Sequence, residues 1–161
     1  MKNNYEEFHT ARGYEIANIE EDLLSASMED YLEMIYRLSR DIGYVRVNDL
    51  ADKLNVQPPS VTKMVQKLNK KSVLRYERYG VISLTEKGLK LGKFFYERHN
   101  TVKEFLNLIQ ANDNLQKDVE MMEHCISFNT YKVISALVNF MKADSEFLKR
   151  FNDYSKLYLK K

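Results

Sequence analysis

The sequence predicts a mostly α-helical protein in which one short β-hairpin interrupts a succession of amphipathic helices. Three observations lead to this fold class. The 161 residues include only five glycines and two prolines, so few residues break regular structure. Apolar residues recur at helical spacing through most of the chain, whereas residues 74–85 change to strand-favouring residues around Gly80. With 44% apolar and 30% charged residues, the chain has the composition of a globular protein with a core of its own.

The first 24 residues differ from the rest because they are polar and acidic and have only weak periodicity. We interpret residues 1–24 as an N-terminal extension, for which a short helix near residues 16–24 is one option. Charge is also distributed unevenly along the chain. Residues 1–43 carry four basic and ten acidic side chains, a net of −6, whereas residues 44–104 carry thirteen and six, a net of +7. A basic middle segment of this kind is typical of a nucleic-acid-binding module.

The first regular helix is predicted over about residues 28–41. Ser27 offers an N-cap, and Glu29 and Asp30 follow in the first turn, where the helix dipole favours acidic side chains. Gly43 ends this helix.

Two short amphipathic helices joined by a tight turn come next. Apolar side chains recur at i, i+3, i+4 and i+7 in two segments, first Val47, Leu50, Ala51 and Leu54, then Val61, Met64, Val65 and Leu68. Pro58 and Pro59 stand at the start of the second helix, where the missing N–H is tolerated. Because the hairpin of residues 74–85 follows, the order is that of an N-terminal winged helix-turn-helix domain, predicted for residues 25–93.

An all-helical domain is predicted for the remainder, residues 94–161. Thr85 can cap a long helix over about residues 86–110. Three further helices are expected near residues 114–125, 129–142 and 144–159. Their apolar residues exceed what so small a unit needs for its own core, so we predict that part of them forms a subunit interface: Val133, Leu137, Phe140, Phe147, Phe151 and Tyr154.

The second helix of the helix-turn-helix has a polar face suited to DNA. Lysine, serine and threonine side chains bind phosphates, and glutamine and lysine also reach base edges in the major groove. The predicted DNA-binding residues are Pro59, Ser60, Thr62, Lys63, Gln66 and Lys67 on this helix, with Arg78 on the hairpin. The alternative is a winged helix that makes protein contacts only, and the +7 charge of the segment argues against it.

The stretch VEMMEHC, residues 119–125, places Glu120, Glu123 and His124 at i, i+3 and i+4, on one face of a helix. One interpretation is a solvated helix edge, and the other is half of a metal site. Asp30 and Glu33, at i and i+3 on the first helix, would supply further carboxylates. Among the three histidines of the sequence, His99 on the long helix offers a second nitrogen donor.

Five segments together resemble the diphtheria toxin repressor family, and in particular its manganese-responsive branch. These segments are SMEDYLEMIY, PPSVTKMVQKL, LTEKGLKLG, YERH and DVEMMEHCISFN, and the resemblance runs from Ser27 to about residue 142. It implies a homodimeric, metal-activated transcriptional repressor that binds palindromic double-stranded operator DNA. It also implies a binuclear metal centre between the two domains, with the side-chain ligands Asp30, Glu33, His99, Glu120, Glu123 and His124. These are called the six candidate ligands below.

The chemistry of these ligands favours Mn²⁺, two ions per subunit, because four carboxylates and two imidazoles form a hard donor set without sulfur. Fe²⁺, Co²⁺, Cd²⁺ or Zn²⁺ are expected to substitute. The resulting interpretation is a Mn²⁺-activated repressor that controls manganese uptake genes and is not an enzyme. The alternatives are a Fe²⁺-responsive repressor of the same family, a dinuclear metal hydrolase and a regulator that does not respond to metals.

The remaining features indicate where the protein acts. The single cysteine, Cys125, excludes an internal disulfide and fits a reducing cytoplasm. We expect Cys125 to be a small buried apolar residue, with zinc recruitment or oxidant sensing as the alternative. The sequence shows neither a secretory signal nor an apolar run long enough to span a membrane. We expect neither a membrane partner nor a small organic substrate.

Overall fold

The computed structural model describes residues 24–160, and in this part of the chain the predicted mostly helical fold is confirmed. Seven α-helices and three short strands follow one another in the order α1 (Ala26–Ser39), β1 (Val45–Arg46), α2 (Val47–Leu54), α3 (Pro58–Lys70), β2 (Leu74–Tyr76), β3 (Val81–Leu84), α4 (Glu86–Leu108), α5 (Leu115–Cys125), α6 (Phe128–Ala143) and α7 (Ser145–Tyr158). A 3₁₀ turn, Arg78–Gly80, joins β2 to β3. The predicted extension and its optional short helix lie outside the described residues, apart from Leu24.

The predicted N-cap of α1 was wrong, and the sheet contains a third strand that the sequence did not indicate. Helix α1 begins at Ala26, two residues earlier than expected, and its N-cap is Ser25 rather than Ser27. The backbone is extended at Ser25, whose carbonyl accepts hydrogen bonds from the amides of Met28 and Glu29. The sheet has three strands in the order β1-β3-β2, because Val45 and Arg46 pair antiparallel with β3. A strand of two residues is too short to show the alternation on which prediction depends.

The helix-turn-helix and the hairpin form as predicted. Asn55 ends α2 in the left-handed conformation, and α3 begins with both prolines in its first turn. The tip of the hairpin is tight, with positive φ at Tyr79 and Gly80. Tyr79 is 92% exposed at this tip, which gives the hairpin the shape of a wing.

A close approach between α1 and α4 holds the N-terminal core together. Leu32 and Ile35 of α1 are fully buried in this core. A Cβ added at Gly92 of α4 would lie 2.8 Å from the Cβ of Tyr36 and 3.1 Å from the carbonyl oxygen of Leu32. The two helices pack at this distance because Gly92 has no side chain.

Helix α4 links the two parts of the protein without interruption. The Thr85 hydroxyl accepts a hydrogen bond from the amide of Gly88, as its predicted role as a cap requires. Beyond residue 93 the same helix continues and contributes Val102 and Leu106 to a second, smaller core that includes Val119 of α5.

The last two helices, α6 and α7, leave apolar side chains at the surface of the chain. Exposed side chains include those of Phe128, Val133, Leu137, Phe140 and Tyr154. This exposure is what an interface between subunits would cover. Within residues 24–160, no helix is both long and apolar enough to cross a membrane.

We predict that Gly92→Ala destabilises the protein although alanine favours helix. The gain in helix propensity is about 1 kcal/mol, and forcing α1 away from α4 costs about 1–3 kcal/mol, so we expect a net loss of about 1 kcal/mol. Urea unfolding measures this loss. Lys93→Ala, at an exposed neighbouring position, is the control and should change the free energy of unfolding by less than about 0.5 kcal/mol. Equal stability of the two variants would contradict the close packing at Gly92.

Candidate functional site

The six candidate ligands come together where α1, α4 and α5 meet. Their donor atoms form two groups, within each of which all atoms lie within 4.8 Å of one another. One group contains Asp30, Glu120, Glu123 and His124, and the other contains Glu33, His99 and Glu123. Glu123 belongs to both groups, so the two potential ion sites are adjacent and share a carboxylate.

Helical spacing explains how so few turns supply so many donors. Asp30 and Glu33 are one turn apart on α1, and Glu120, Glu123 and His124 are within one turn on α5, so each set faces the same neighbour. The centre of the cluster is buried. Glu123 is 1% exposed, His99 5% and Glu33 7%, and groups of this type are rarely buried unless they are paired or bind a metal.

Polar contacts already join the three helices. His99 Nδ1 lies 2.9 Å from Glu123 Oε2, which links α4 to α5. His124 Nε2 lies 2.8 Å from Asp30 Oδ1 and 3.7 Å from Glu123 Oε1, which links α5 to α1. At the edge of the cluster, the Gln116 side-chain amide donates a hydrogen bond of 2.8 Å to Glu120 Oε1.

The surroundings of His124 Nε2 fit a bound cation. This atom is buried, and no described residue forms a directed hydrogen bond with it, although the Asp30 oxygen is 2.8 Å away. Neighbouring donors in an octahedral site with metal–oxygen distances of roughly 2.1 Å are about 3 Å apart. The separations between Nε2 and the oxygens of Asp30 and Glu123 are therefore of the size that a shared metal ion requires. The donor set, four carboxylates and two imidazoles, fits a hard divalent ion.

The electrostatics of the cluster raise the pKa of three of its members. The Asp30 carboxylate beside Nε2 and the Glu29 carboxylate beside Nδ1 raise the pKa of His124 from 6.5 to about 10, against the opposing effect of burial. Burial raises the pKa of Glu33, although Arg37 acts against this shift. Burial and then the Glu123 carboxylate raise the pKa of Glu120. With a pKa of about 10, His124 retains a proton at neutral pH that a metal ion would have to displace.

The sequence did not indicate a layer of residues behind the candidate ligands. Glu29 Oε2 lies 3.0 Å from His124 Nδ1 and accepts a hydrogen bond of 2.7 Å from Arg98. This contact orients the imidazole so that Nε2 faces the cluster. Arg37 forms an ion pair with Glu33 on the same face of α1. The i, i+4 spacing of Glu33 and Arg37 could have predicted their ion pair. The contacts of Glu29 could not be predicted locally, because Arg98 and His124 lie 69 and 95 residues away along the chain.

The predicted DNA-binding face of α3 is accessible. Thr62 is half-buried, and the other predicted members on α3 are exposed: Pro59, Ser60, Lys63, Gln66 and Lys67. The opposite face of α3 buries Val61, Val65 and Leu68 in the core. Arg78 lies in the 3₁₀ turn at the tip of the wing, and its backbone alone is described. The arrangement leaves a basic polar helix and a wing on one module.

Cys125 corrects an expectation from the sequence. Its side chain is exposed rather than buried, and it is a free thiol. It belongs to neither of the two donor groups formed by the described residues. As the last residue of α5, it follows His124 but lies beyond the face of the helix that α1 and α4 cover.

Comparison with known families covers nearly all of the described chain. Residues 23–82 match the model of the iron-dependent repressor N-terminal DNA-binding domain. Residues 85–151 match that of the iron-dependent repressor metal-binding and dimerisation domain. The division between the two falls at the junction of β3 and α4.

Individual relatives support the same assignment. The HTH-type transcriptional regulator MntR of Oceanobacillus iheyensis is 48% identical over 124 residues, 76% of this chain and 84% of that protein. MntR of Bacillus subtilis is 45% identical over 123 residues, 76% of this chain and 87% of the relative.

Solved structures with the same fold include the manganese regulator SloR, with a TM-score of 0.61 and 28% identity, and ScaR with bound Zn²⁺, with a TM-score of 0.59 and 27% identity. Each match covers 70% of this chain, which spans only about half, 54%, of those longer chains. The two matching domain models and the long, closely similar relatives establish that the chain belongs to the diphtheria toxin, or iron-dependent, repressor family of metal-dependent transcriptional regulators.

Proposed function

We propose that this protein is a Mn²⁺-activated repressor that binds palindromic operator DNA as a homodimer and controls manganese uptake genes in the cytoplasm. The observation that carries the proposal is the meeting of the six candidate ligands in two groups that share Glu123. Two of these ligands, Asp30 and Glu33, belong to the DNA-binding domain and the other four to the metal-binding and dimerisation domain. Ligand binding at this cluster is thereby coupled to the position of the DNA-binding module.

Each group would hold one ion, which makes two per subunit. Asp30, Glu120, Glu123 and His124 would bind the first ion, and Glu33, His99 and Glu123 the second. Oxygen-rich donors without sulfur suit Mn²⁺. The similar structures of the manganese regulator SloR and the manganese-activated repressor ScaR support the same choice. Fe²⁺, Co²⁺, Cd²⁺ and Zn²⁺ would also bind these donors, and ScaR is known with bound Zn²⁺ and with bound Cd²⁺.

When bound, Mn²⁺ supplies the positive charge that four neighbouring carboxylates lack. The rest of the mechanism depends on where the ligands are anchored. Asp30 and Glu33 are fixed on α1, and α1 packs against α2, α3 and β3 of the DNA-binding domain. His99, Glu120, Glu123 and His124 are fixed on α4 and α5. Drawing these two sets together fixes the orientation of α3 relative to the helices that join the subunits.

In a dimer, the same constraint sets the distance between two copies of α3. A palindromic operator with half-sites a fixed number of turns apart selects one such distance. Metal and DNA then favour the same conformation, so each ligand increases the affinity for the other. We propose no catalytic activity for this centre, because the relatives are transcriptional regulators and each candidate base or nucleophile in the cluster serves as a ligand.

The proposal predicts that tight binding to a palindromic duplex requires Mn²⁺. We expect a loss of at least tenfold in affinity when a chelator replaces Mn²⁺, because the coupling between metal and DNA is then absent. Fluorescence anisotropy of a labelled duplex measures the affinity, and sedimentation gives the stoichiometry. Lys63→Ala should weaken DNA binding at saturating Mn²⁺ and leave Mn²⁺ affinity unchanged, because Lys63 is exposed on α3 and not part of the cluster. Equal DNA affinity with and without chelator would reject the proposal.

Asp30→Met should change the metal preference rather than abolish metal binding. The substitution replaces a hard, charged oxygen with a soft, neutral sulfur in the group that contains His124, and softer donors favour later metals. We expect Fe²⁺ or Co²⁺ to gain relative to Mn²⁺ as activators of DNA binding. The measurement is DNA affinity against the concentration of each metal, with wild type beside the variant. If the Mn²⁺ and Fe²⁺ curves shift together, Asp30 does not determine metal selectivity.

Mn²⁺ binding should release protons at pH 7. With a pKa of about 10, His124 is protonated at neutral pH and offers a lone pair to metal only after it loses that proton. The apparent affinity for Mn²⁺ should therefore rise with pH across the neutral range. Isothermal titration calorimetry in two buffers of different ionisation enthalpy counts the protons, and we expect about one or more per subunit. Identical heats in both buffers would show that His124 binds no metal or carries no proton.

A further inference from the structure

Arg37 places a positive charge directly against one of the proposed metal ligands. Its Nη2 pairs with Glu33 Oε1, one turn away on α1. The Glu33 side chain is 10% exposed in this pair and that of Arg37 is 32% exposed. Within residues 24–160, Glu33 is the one candidate ligand that forms an ion pair with an arginine or a lysine.

The two donor groups consequently differ in charge. The group of Asp30, Glu120 and Glu123 contains three carboxylates, with His124 as its nitrogen donor. The group of Glu33, His99 and Glu123 contains two carboxylates, one of them shared, and Arg37 neutralises the other. A cation entering the second group meets both a weaker negative potential and an occupied Glu33 oxygen.

We propose, on the basis of the proposed function, that Arg37 is a built-in competing cation that lowers the affinity of the Glu33, His99 and Glu123 group for its metal ion. The guanidinium is permanently charged and cannot yield its place by losing a proton. It must move away from Glu33 Oε1 before that oxygen can coordinate an ion. Arg37 thereby sets the Mn²⁺ concentration at which the second ion binds.

While Arg37 is paired with Glu33, its guanidinium also contacts an aromatic ring, and this contact does not depend on Glu33. Its Cζ lies 5.2 Å from the centroid of the Tyr96 ring, within the range of a cation–π contact. Tyr36 packs beside Tyr96, with 5.8 Å between their ring centroids, and keeps that ring in place. The Arg37 Nε is buried without a hydrogen-bond partner among the described residues, so the guanidinium is incompletely satisfied beside Glu33. Release from Glu33 leaves the charge on an aromatic face and close to solvent.

Arg40 provides a matched control on the same helix. Its Cζ lies 5.6 Å from the centroid of the same Tyr96 ring, and its side chain is exposed. The structure records no ion pair between Arg40 and a described carboxylate. Arg40→Leu therefore removes a nearby positive charge and a Tyr96 contact while leaving Glu33 as it is.

The test measures Mn²⁺ binding to the full chain, with Mn²⁺ alone as the probe. Electron paramagnetic resonance of unbound Mn²⁺ gives the number of ions and the dissociation constant of each step. We expect Arg37→Leu to lower the dissociation constant of the weaker step by about tenfold or more, because a charge within a few ångströms of a divalent ion is removed. The tighter step should change by less than about threefold, and Arg40→Leu should change both steps by less than about threefold.

A second variant and a second measurement complete the test. Arg37→Gln keeps a hydrogen-bond donor near Glu33 without the charge, and it should strengthen the weaker step in the same direction even if Arg37→Leu folds poorly. In the presence of chelator, Arg37→Leu should melt at a lower temperature than wild type, because Glu33 loses its partner. Addition of Mn²⁺ should then raise its melting temperature more than that of wild type.

The possible outcomes separate this inference from the proposed function. If wild type binds two Mn²⁺ ions and both Arg37 variants bind them with unchanged affinity, the inference is wrong and the proposed function stands. Loss of the weaker ion in both variants would show that Arg37 supports Glu33 rather than competing for it, which also overturns the inference. If wild type binds no Mn²⁺, the proposed function fails, and the inference fails with it.

Discussion

The burial of the Glu123 carboxylate is the constraint on which the arrangement of the helices depends. A carboxylate removed from water costs several kcal/mol unless cations or donors surround it. Glu123 meets this requirement with His99 from α4 on one oxygen and His124 nearby on the other. Asp30, from α1, then completes the chain of contacts through His124. Three helices from two domains must therefore remain in contact for one acidic group to remain buried.

A second set of charges balances the cluster from outside. Arg98, itself buried, holds Glu29, and Glu29 in turn holds His124 in the orientation that turns Nε2 toward the other donors. Arg37 instead contacts Glu33, one of the six candidate ligands. The two arginines would affect a bound metal differently, because Arg98 contacts a residue that is not a candidate ligand, whereas Arg37 contacts one that is. Arg98 therefore supports the orientation of a candidate ligand through Glu29, whereas Arg37 would compete with a metal ion for Glu33.

Much of the fold could be predicted from local patterns, and the site could be predicted from spacing combined with the family resemblance. Helical periodicity placed every helix in residues 24–160 within about three residues, and the i, i+3, i+4 spacing put Glu120, Glu123 and His124 on one face. Contacts between distant segments could not be predicted in this way, since Glu29 and Arg98 are 69 residues apart. The exposure of Cys125, the last residue of α5, also depends on tertiary packing, which the sequence pattern does not reveal. Strand β1 pairs with β3, but its two residues are too few to show the alternation of apolar and polar residues by which a strand is predicted.

One continuous helix, α4, connects the cluster of candidate ligands to the base of the wing. Strand β3 ends at Leu84, Thr85 caps the helix, and His99 follows fourteen residues after the cap. At about 1.5 Å per residue, the arm between His99 and the base of the wing is roughly 20 Å long. A tilt of about 5° at the histidine would therefore displace the base of the wing by nearly 2 Å. Successive phosphates of one DNA strand are spaced by roughly 3.4 Å along the helix axis, so this displacement is about half of that spacing. Small adjustments among the side chains around Glu123 would therefore be enlarged at the base of the wing.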